Sequence, residues 1–265
     1  METLQIFGYL GALAVGMILG LMGSGGSMMA VPILAYLFHI SPVTTTAYSL
    51  FVVGTSASVG AFRNYKKGMV DFRIAIVFAI PAFITVYIVR KFLVPIIPEK
   101  IFAIGSFIVT KDIGIMVLFA MLMLCASISM IKKRKKKIDI ISVTDYNYPT
   151  IVLEGILIGI LTGIVGIGGG FLIIPALVLL VKLPMKKAVG TSLFIIALKS
   201  LIGFMGDLGN LEINWSFLLS FTMVSMLGIL FGVYLSSFIE GEKLKKTFGW
   251  LVLVMAIFIF YKELL

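Results

Sequence analysis

Gly20-Leu21-Met22-Gly23-Ser24-Gly25-Gly26-Ser27-Met28-Met29-Ala30-Val31-Pro32-Ile33-Leu34 returns 143 residues later as Gly163-Ile164-Val165-Gly166-Ile167-Gly168-Gly169-Gly170-Phe171-Leu172-Ile173-Ile174-Pro175-Ala176-Leu177. Four glycines and the proline superpose. With a one-residue slip around Pro42 and Pro184, the same displacement pairs Ser49-Leu50-Phe51 with Ser192-Leu193-Phe194, Gly60 with Gly203, Asp71-Phe72 with Asn214-Trp215, and Glu99-Lys100 with Glu242-Lys243. A single offset held over that distance marks a duplicated unit, since solenoid repeats are shorter, at about 20–50 residues. The chain divides into a first transmembrane repeat, 1–131, a basic linker, 132–149, and a second transmembrane repeat, 150–265.

The solvent for most of this chain is lipid. Hydrophobic residues make up 60% of the 265 and charged residues only 13%, with a mean hydropathy of +1.15, whereas a soluble domain carries about 25% charged residues. Runs such as Ile74–Val89, Ile113–Ile131, Leu193–Met205 and Leu251–Tyr261 approach or exceed the ~18 residues of a spanning helix. The net charge of +10 does not indicate nucleic acid, because the basic residues sit in short loops between apolar segments and form no binding stripe. Met1 to Gln5 lack the basic region and cleavage site of a secretory signal, so the first apolar segment is expected to be retained. Cys125 is read as a packed thiol without a role, and no cofactor or metal is expected.

Charge placement orients the segments. Lys132-Lys133-Arg134-Lys135-Lys136-Lys137 is taken as cytoplasmic. The stretch 150–181 would be roughly 48 Å long as one helix, too long for a ~30 Å hydrocarbon core, and Gly166–Gly170 breaks it. Folded back as a hairpin, it leaves Lys182, Lys186 and Lys187 cytoplasmic, Asp207–Asn214 outside, and Lys243, Lys245 and Lys246 cytoplasmic again. A single crossing would invert all three. Extended to Arg63, Lys66, Lys67 and Arg73, the hairpin reading places 16 of the 22 basic residues in cytoplasmic loops. The expected fold is therefore an all-α polytopic membrane protein of two inverted-topology repeats. Each repeat is a broken, re-entrant-like helical hairpin plus three transmembrane helices, and both termini are external. Arg90, Lys91, Lys100 and Lys111 would then lie outside, against the rule, with Ile101–Thr110 as an interfacial helix.

The glycine clusters carry the chemistry. Unwound backbone is tolerated at membrane depth only when buried in protein or lining a cavity, so each hairpin tip belongs inside the bundle. The arm that follows each tip begins near Ser27 or Gly170 and presents unpaired N–H groups at the positive end of its dipole, an anion site. Broken helices from inverted repeats that meet near the midplane are also the architecture of many secondary transporters. The opposing reading, close helix packing, is preferred for Gly11, Gly16, Gly20, Gly155, Gly159 and Gly163. Site candidates are Gly23, Ser24, Gly25, Gly26 and Ser27 at the first tip, Gly166, Gly168, Gly169 and Gly170 at the second, and Ser49, Thr191 and Ser192 on the following helices. Those hydroxyls either line the path or bond their own helix. Lys199, inside an apolar run, needs a partner: a passing anion, Asp207, or water reached by snorkelling. His39 is assigned an interfacial or capping role, and topology explains Arg63. No buried carboxylate for a proton relay is evident.

The paired motifs Gly20–Pro32 and Gly163–Pro175, together with Ser49-Leu50-Phe51, Gly190-Thr191-Ser192-Leu193-Phe194 and Gly68-Met69-Val70-Asp71-Phe72, resemble the TauE/SafE family of membrane permeases over essentially the whole chain. The resemblance implies export of sulfite, thiosulfate or small organosulfonates by alternating access at a midplane site. Ser24 stands opposite Ile167, and Lys199 opposite Ser56, so the two sites need not be equivalent. An anion channel of the same architecture, or a permease for another small solute, is the alternative. An intramembrane hydrolase is rejected because Ser24 and His39 would lie roughly 18–20 Å apart along one half-helix. The expected partners are a small anionic substrate, the lipid bilayer and, as an open option, a second copy of the chain. The coupling ion is unread.

Overall fold

The structure, a computed structural model, describes residues 2–104, 107–132, 148–165, 170–179, 181, 183–209 and 211–264. The linker 133–147 and the second glycine tip, 166–169, lie outside them. Helix α1 (Glu2–Met22) is followed by α2 (Gly25–Pro32), which continues through a π turn at Ile33–Leu37. Next come α3 (Pro42–Lys66) and α4 (Phe72–Ile88), the latter running through a second π turn, Val89–Leu93, into α5 (Val94–Ile96). A short hairpin, β1 (Lys100–Ile104) and β2 (Phe107–Thr110), precedes α6 (Lys111–Ile131). The rest is α7 (Tyr148–Val165), α8 (Gly170–Leu179), α9 (Met185–Met205), α10 (Trp215–Ser236) and α11 (Gly241–Leu264).

Among the described residues, six stretches are long and apolar enough to cross a bilayer: Phe72–Ile96, Lys111–Ile131, Tyr148–Val165, Met185–Met205, Trp215–Ser236 and Gly241–Lys262. The chain is a multi-pass membrane protein. Helix α3 is as long but carries Thr44, Thr45, Thr46, Ser49, Ser56 and Ser58, which it tolerates because 14 of its residues are buried in protein. It packs on α9, whose most apolar window is 72% buried against 33% for that of α11. These two helices form the centre. Phe51 against Phe204, Gly54 against Leu201 and Gly60 against Leu193 fix them as antiparallel.

Helix starts are set by side chains that accept the orphan N–H groups of the first turn. Ser41 accepts from Thr44, with Pro42 opening α3; Asp71 accepts from Ile74, and Asn214 from Phe217. These last two, equivalent by the repeat, are held across the halves. The Asp71 N–H donates to Thr191 Oγ1 at 2.9 Å, and the Asn214 N–H donates to Tyr48 Oη at 2.7 Å. Positions 48 and 191 are themselves separated by the repeat offset.

The outer helices pair in the same crossed manner, α1 on α10 and α7 on α4. Small residues allow backbones to meet. A Cβ on Gly16 would lie 1.8 Å from the Ser225 carbonyl oxygen and one on Gly232 would lie 2.1 Å from that of Met17. Gly155 and Gly159 meet the carbonyls of Phe78 and Ala82, while Gly163 meets Val89 and Gly11 meets Ile33. Close packing, expected for these spacings, is what the structure shows.

The bundle has two chemically distinct ends. Met69 touches Gly190, Met185 touches Gly241, and Lys186 donates to the Ser237 carbonyl, so Lys67, Lys186 and the start of α11 share one end. At the other end Tyr9 bonds Ser220, Phe38 stacks on Phe217, and Tyr36 meets Phe258. Each broken hairpin returns to the end it came from. Phe38 comes back to Gly8, and α7, parallel to α4, leaves the lysine end to which the chain returns at Met185.

Four expectations are corrected. Residues Lys100–Ile104 and Phe107–Thr110 form a two-stranded antiparallel hairpin, so the fold is helical with one β insertion, and Ile101–Thr110 is no interfacial helix. Glu99-Lys100 is consequently not the structural counterpart of Glu242-Lys243, which open α11. Cys125 is exposed on the outer face of α6, where an all-round apolar helix gives no indication of which side faces lipid. Arg90 is not a loop charge. It is fully buried inside the bundle.

Candidate functional site

The chain reverses at Gly23, whose φ of +73° is open to glycine at little cost. The tip is deep. Gly23, Ser24, Gly25 and Gly26 are all buried, and Gly25 faces Leu251, about 15 Å along α11 from its start at Gly241. Close approach to α1 requires the absent side chains: a Cβ on Gly26 would stand 2.0 Å from the Val15 carbonyl oxygen, and one on Gly25 would stand 2.6 Å from Ile18 Cγ2. These glycines therefore have a steric reason that holds with or without a solute. Ser24 is the N-cap of α2, yet its hydroxyl does not cap the first turn. Ser27 lies in that turn.

The second half reaches this tip through α9. Ser192 Oγ shares its proton between the Val189 carbonyl of its own helix at 2.9 Å, the backbone bond weighed for it, and the Gly23 carbonyl at 3.2 Å. Thr191 is buried and occupied with the Asp71 N–H. Ser49, the repeat equivalent of Ser192, is buried, and its hydroxyl has no hydrogen-bond partner among the described residues. Gly170 opens α8, and α8 touches α2, but Gly166, Gly168 and Gly169 lie outside the described residues.

Lys199 lies two turns beyond Ser192 on α9 and is completely buried, which removes snorkelling as its explanation. Its ammonium donates to Thr162 Oγ1 at 3.0 Å, one helical turn before the second glycine tip. Among the described residues no carboxylate lies within ion-pair distance of it. Asp207 is engaged elsewhere. It accepts from Arg90 Nε at 2.8 Å and from Nη2 at 2.5 Å, while Arg90 Nη1 donates to Thr46 Oγ1 at 3.0 Å. Burial pushes the Asp207 carboxyl above the ordinary carboxylate range, against the pull of the Arg90 charge and its hydrogen bonds. This clamp joins α3, the π turn after α4 and the end of α9. Beyond the acid at 207 no pattern in the chain pairs them, since the partners are 117 positions apart.

One helix, α9, thus presents a hydroxyl to the first hairpin tip and an ammonium to Thr162 in the last turn of α7, about 10 Å apart along its axis. Such an arrangement can hold a small anion or polar solute away from lipid. The profile of the sulfite exporter TauE/SafE family matches residues 9–259. The chain belongs to the TauE/SafE family. This TauE/SafE chain is similar to a probable membrane transporter protein of Xylella fastidiosa, 27% identical over 94% of the chain and 92% of that protein. It is also similar to the probable membrane transporter protein YunE of Bacillus subtilis, at 30% over 93% and 92%, and to one of Haemophilus influenzae, at 29% over 95% and 96%. No solved structure matches the TauE/SafE chain at a significant level. As a member of this family it is a membrane transporter.

Proposed function

We propose that the protein carries small sulfur-containing anions such as sulfite, thiosulfate or short organosulfonates out of the cytoplasm, by alternating access between two inverted repeats. The observation that carries this reading is Lys199. A positive charge with no carboxylate partner among the described residues, held at the heart of a membrane bundle, costs about 2.5–3.5 kcal/mol on insertion scales and is offset by an anion that passes it. Two further features support a polar path: Ser192, whose hydroxyl meets the Gly23 carbonyl at the first tip, and Ser49, its repeat equivalent, whose buried hydroxyl has no hydrogen-bond partner among the described residues. The antiparallel run of α3 and α9, with hairpins entering from opposite ends, supports inversion. The family's description as sulfite exporters supports the sulfur anion and the outward direction.

The test is flux of radiolabelled sulfite, thiosulfate and methanesulfonate in liposomes holding purified protein. Saturable flux with counterflow for at least one of them is expected. Linear, unsaturable flux would make the protein a channel, and no flux of any of the three would overturn the substrate class.

A further inference from the structure

At the lysine end a cavity of about 220 Å³ opens above the first hairpin tip, smaller than the ~300–1,000 Å³ that takes a drug-sized ligand. Its floor includes Leu21 and Val189. Val189 is the residue against which Gly23 closes, at 2.9 Å from a Cβ built there, so the cavity stands one residue layer from the tip. Met69 and Leu244 add apolar wall, while Lys67 and Lys186 contribute ammonium groups from the two halves of the chain. Neither lysine has a carboxylate within ion-pair distance among the described residues; Lys186 reaches only toward the Ser237 carbonyl, at 3.4 Å.

We propose that this cavity is a separate binding subsite for anions whose charged head is carried on a short apolar body. The inference rests on the transport reading above and gives that reading a selectivity step. Two cations at a rim attract any anion, and exposed ones are screened by salt, so charge alone would not discriminate. The aliphatic floor does. Leu21 and Met69, both half-buried, release water when a chain of a few carbons covers them, whereas a bare oxyanion gains nothing from them. A lipid presents the same chemistry, an anionic head on an apolar body. The cavity's lining is drawn from α1, α3, α9, α10 and α11 beside the tip, which favours a soluble ligand.

The test places one thiol in the cavity wall, Ser236→Cys in a Cys125→Ser background, in phosphatidylcholine vesicles, and follows its alkylation by N-ethylmaleimide. Propanesulfonate is expected to slow the reaction saturably, at least threefold more than sulfate at equal ionic strength. Lys67→Gln with Lys186→Gln is expected to abolish that protection, and Met69→Gln to reduce it to the level of sulfate. Equal protection by both anions, none by either, or protection that survives the lysine substitutions would overturn the subsite. So would protection seen only when phosphatidylglycerol is added, which would make the ligand a lipid. Flux measured on the same vesicles separates the two proposals: protection without flux leaves the subsite and sinks the carrier, and flux without protection does the reverse.

Discussion

Lys199 concentrates the electrostatic question, because it is fully buried and its hydrogen bond goes to a hydroxyl. Lys199→Met keeps much of the length and removes the charge; at equal expression it is expected to lose most anion flux and to raise the apparent substrate constant, while Lys199→Arg retains part of the activity. Flux and affinity equal to the parent's would make Lys199 structural. At the tip the sharper substitution is small. Gly26→Ala drives a methyl toward the Val15 carbonyl, and overpacking of that kind costs about 1–3 kcal/mol, so a lower unfolding temperature in detergent is expected even with no solute present. Unchanged melting would contradict the close approach of α1 and α2. A bulky residue at Gly25 tests little about anions, since Ile18 already excludes it. The residue types at the site were legible in sequence from repetition and from charge in an apolar run, but which atom each would bond was not. Ser192 and Gly23 are 169 positions apart, beyond the reach of any periodicity.

The elements show the same division. The break between α1 and α2 was legible because glycines clustered ahead of a proline interrupt a helix, and the packing role of the spaced glycines followed from their period; the second tip lies outside the described residues. The β hairpin went unread, although Phe102-Ala103-Ile104 and Phe107-Ile108-Val109 flank Gly105-Ser106, a hairpin-type pattern, because a membrane context favoured helix. The burial of Arg90 went unread for a related reason: it was grouped with Lys91, Lys100 and Lys111 as charges on the outer side, and only the fold reveals Asp207 beside it. The clamp between α4's extension and the end of α9 yields an expected double-mutant outcome. Arg90→Met leaves a buried carboxylate unpaired and is expected to destabilise by about 3–5 kcal/mol, and adding Asp207→Asn should recover a large part of that, read as melting temperature in detergent. Additive losses would mean that the two side chains act independently.

At the scale of the molecule, Lys67 and Lys186 share one end, and from the positive-inside rule we propose that this end faces the cytoplasm. In a Cys125→Ser background, Lys186→Cys is expected to react with an impermeant maleimide only from inside, and Leu208→Cys only from outside; labelling of Lys186→Cys from outside would sink the orientation. The crossed pairing of α1 with α10 and of α7 with α4 bears on biogenesis as well. A nascent chain that has inserted α1 must wait some two hundred residues of synthesis before the surface that receives Gly16 and Gly20 exists. Until then its small-residue stripe faces lipid or an insertase, and neither half can complete its own interior. Two genes encoding 1–139 and 140–265 should accordingly yield stable protein only when expressed together, each product alone being degraded. Survival of either fragment by itself would show that the halves mature separately and meet only at the end.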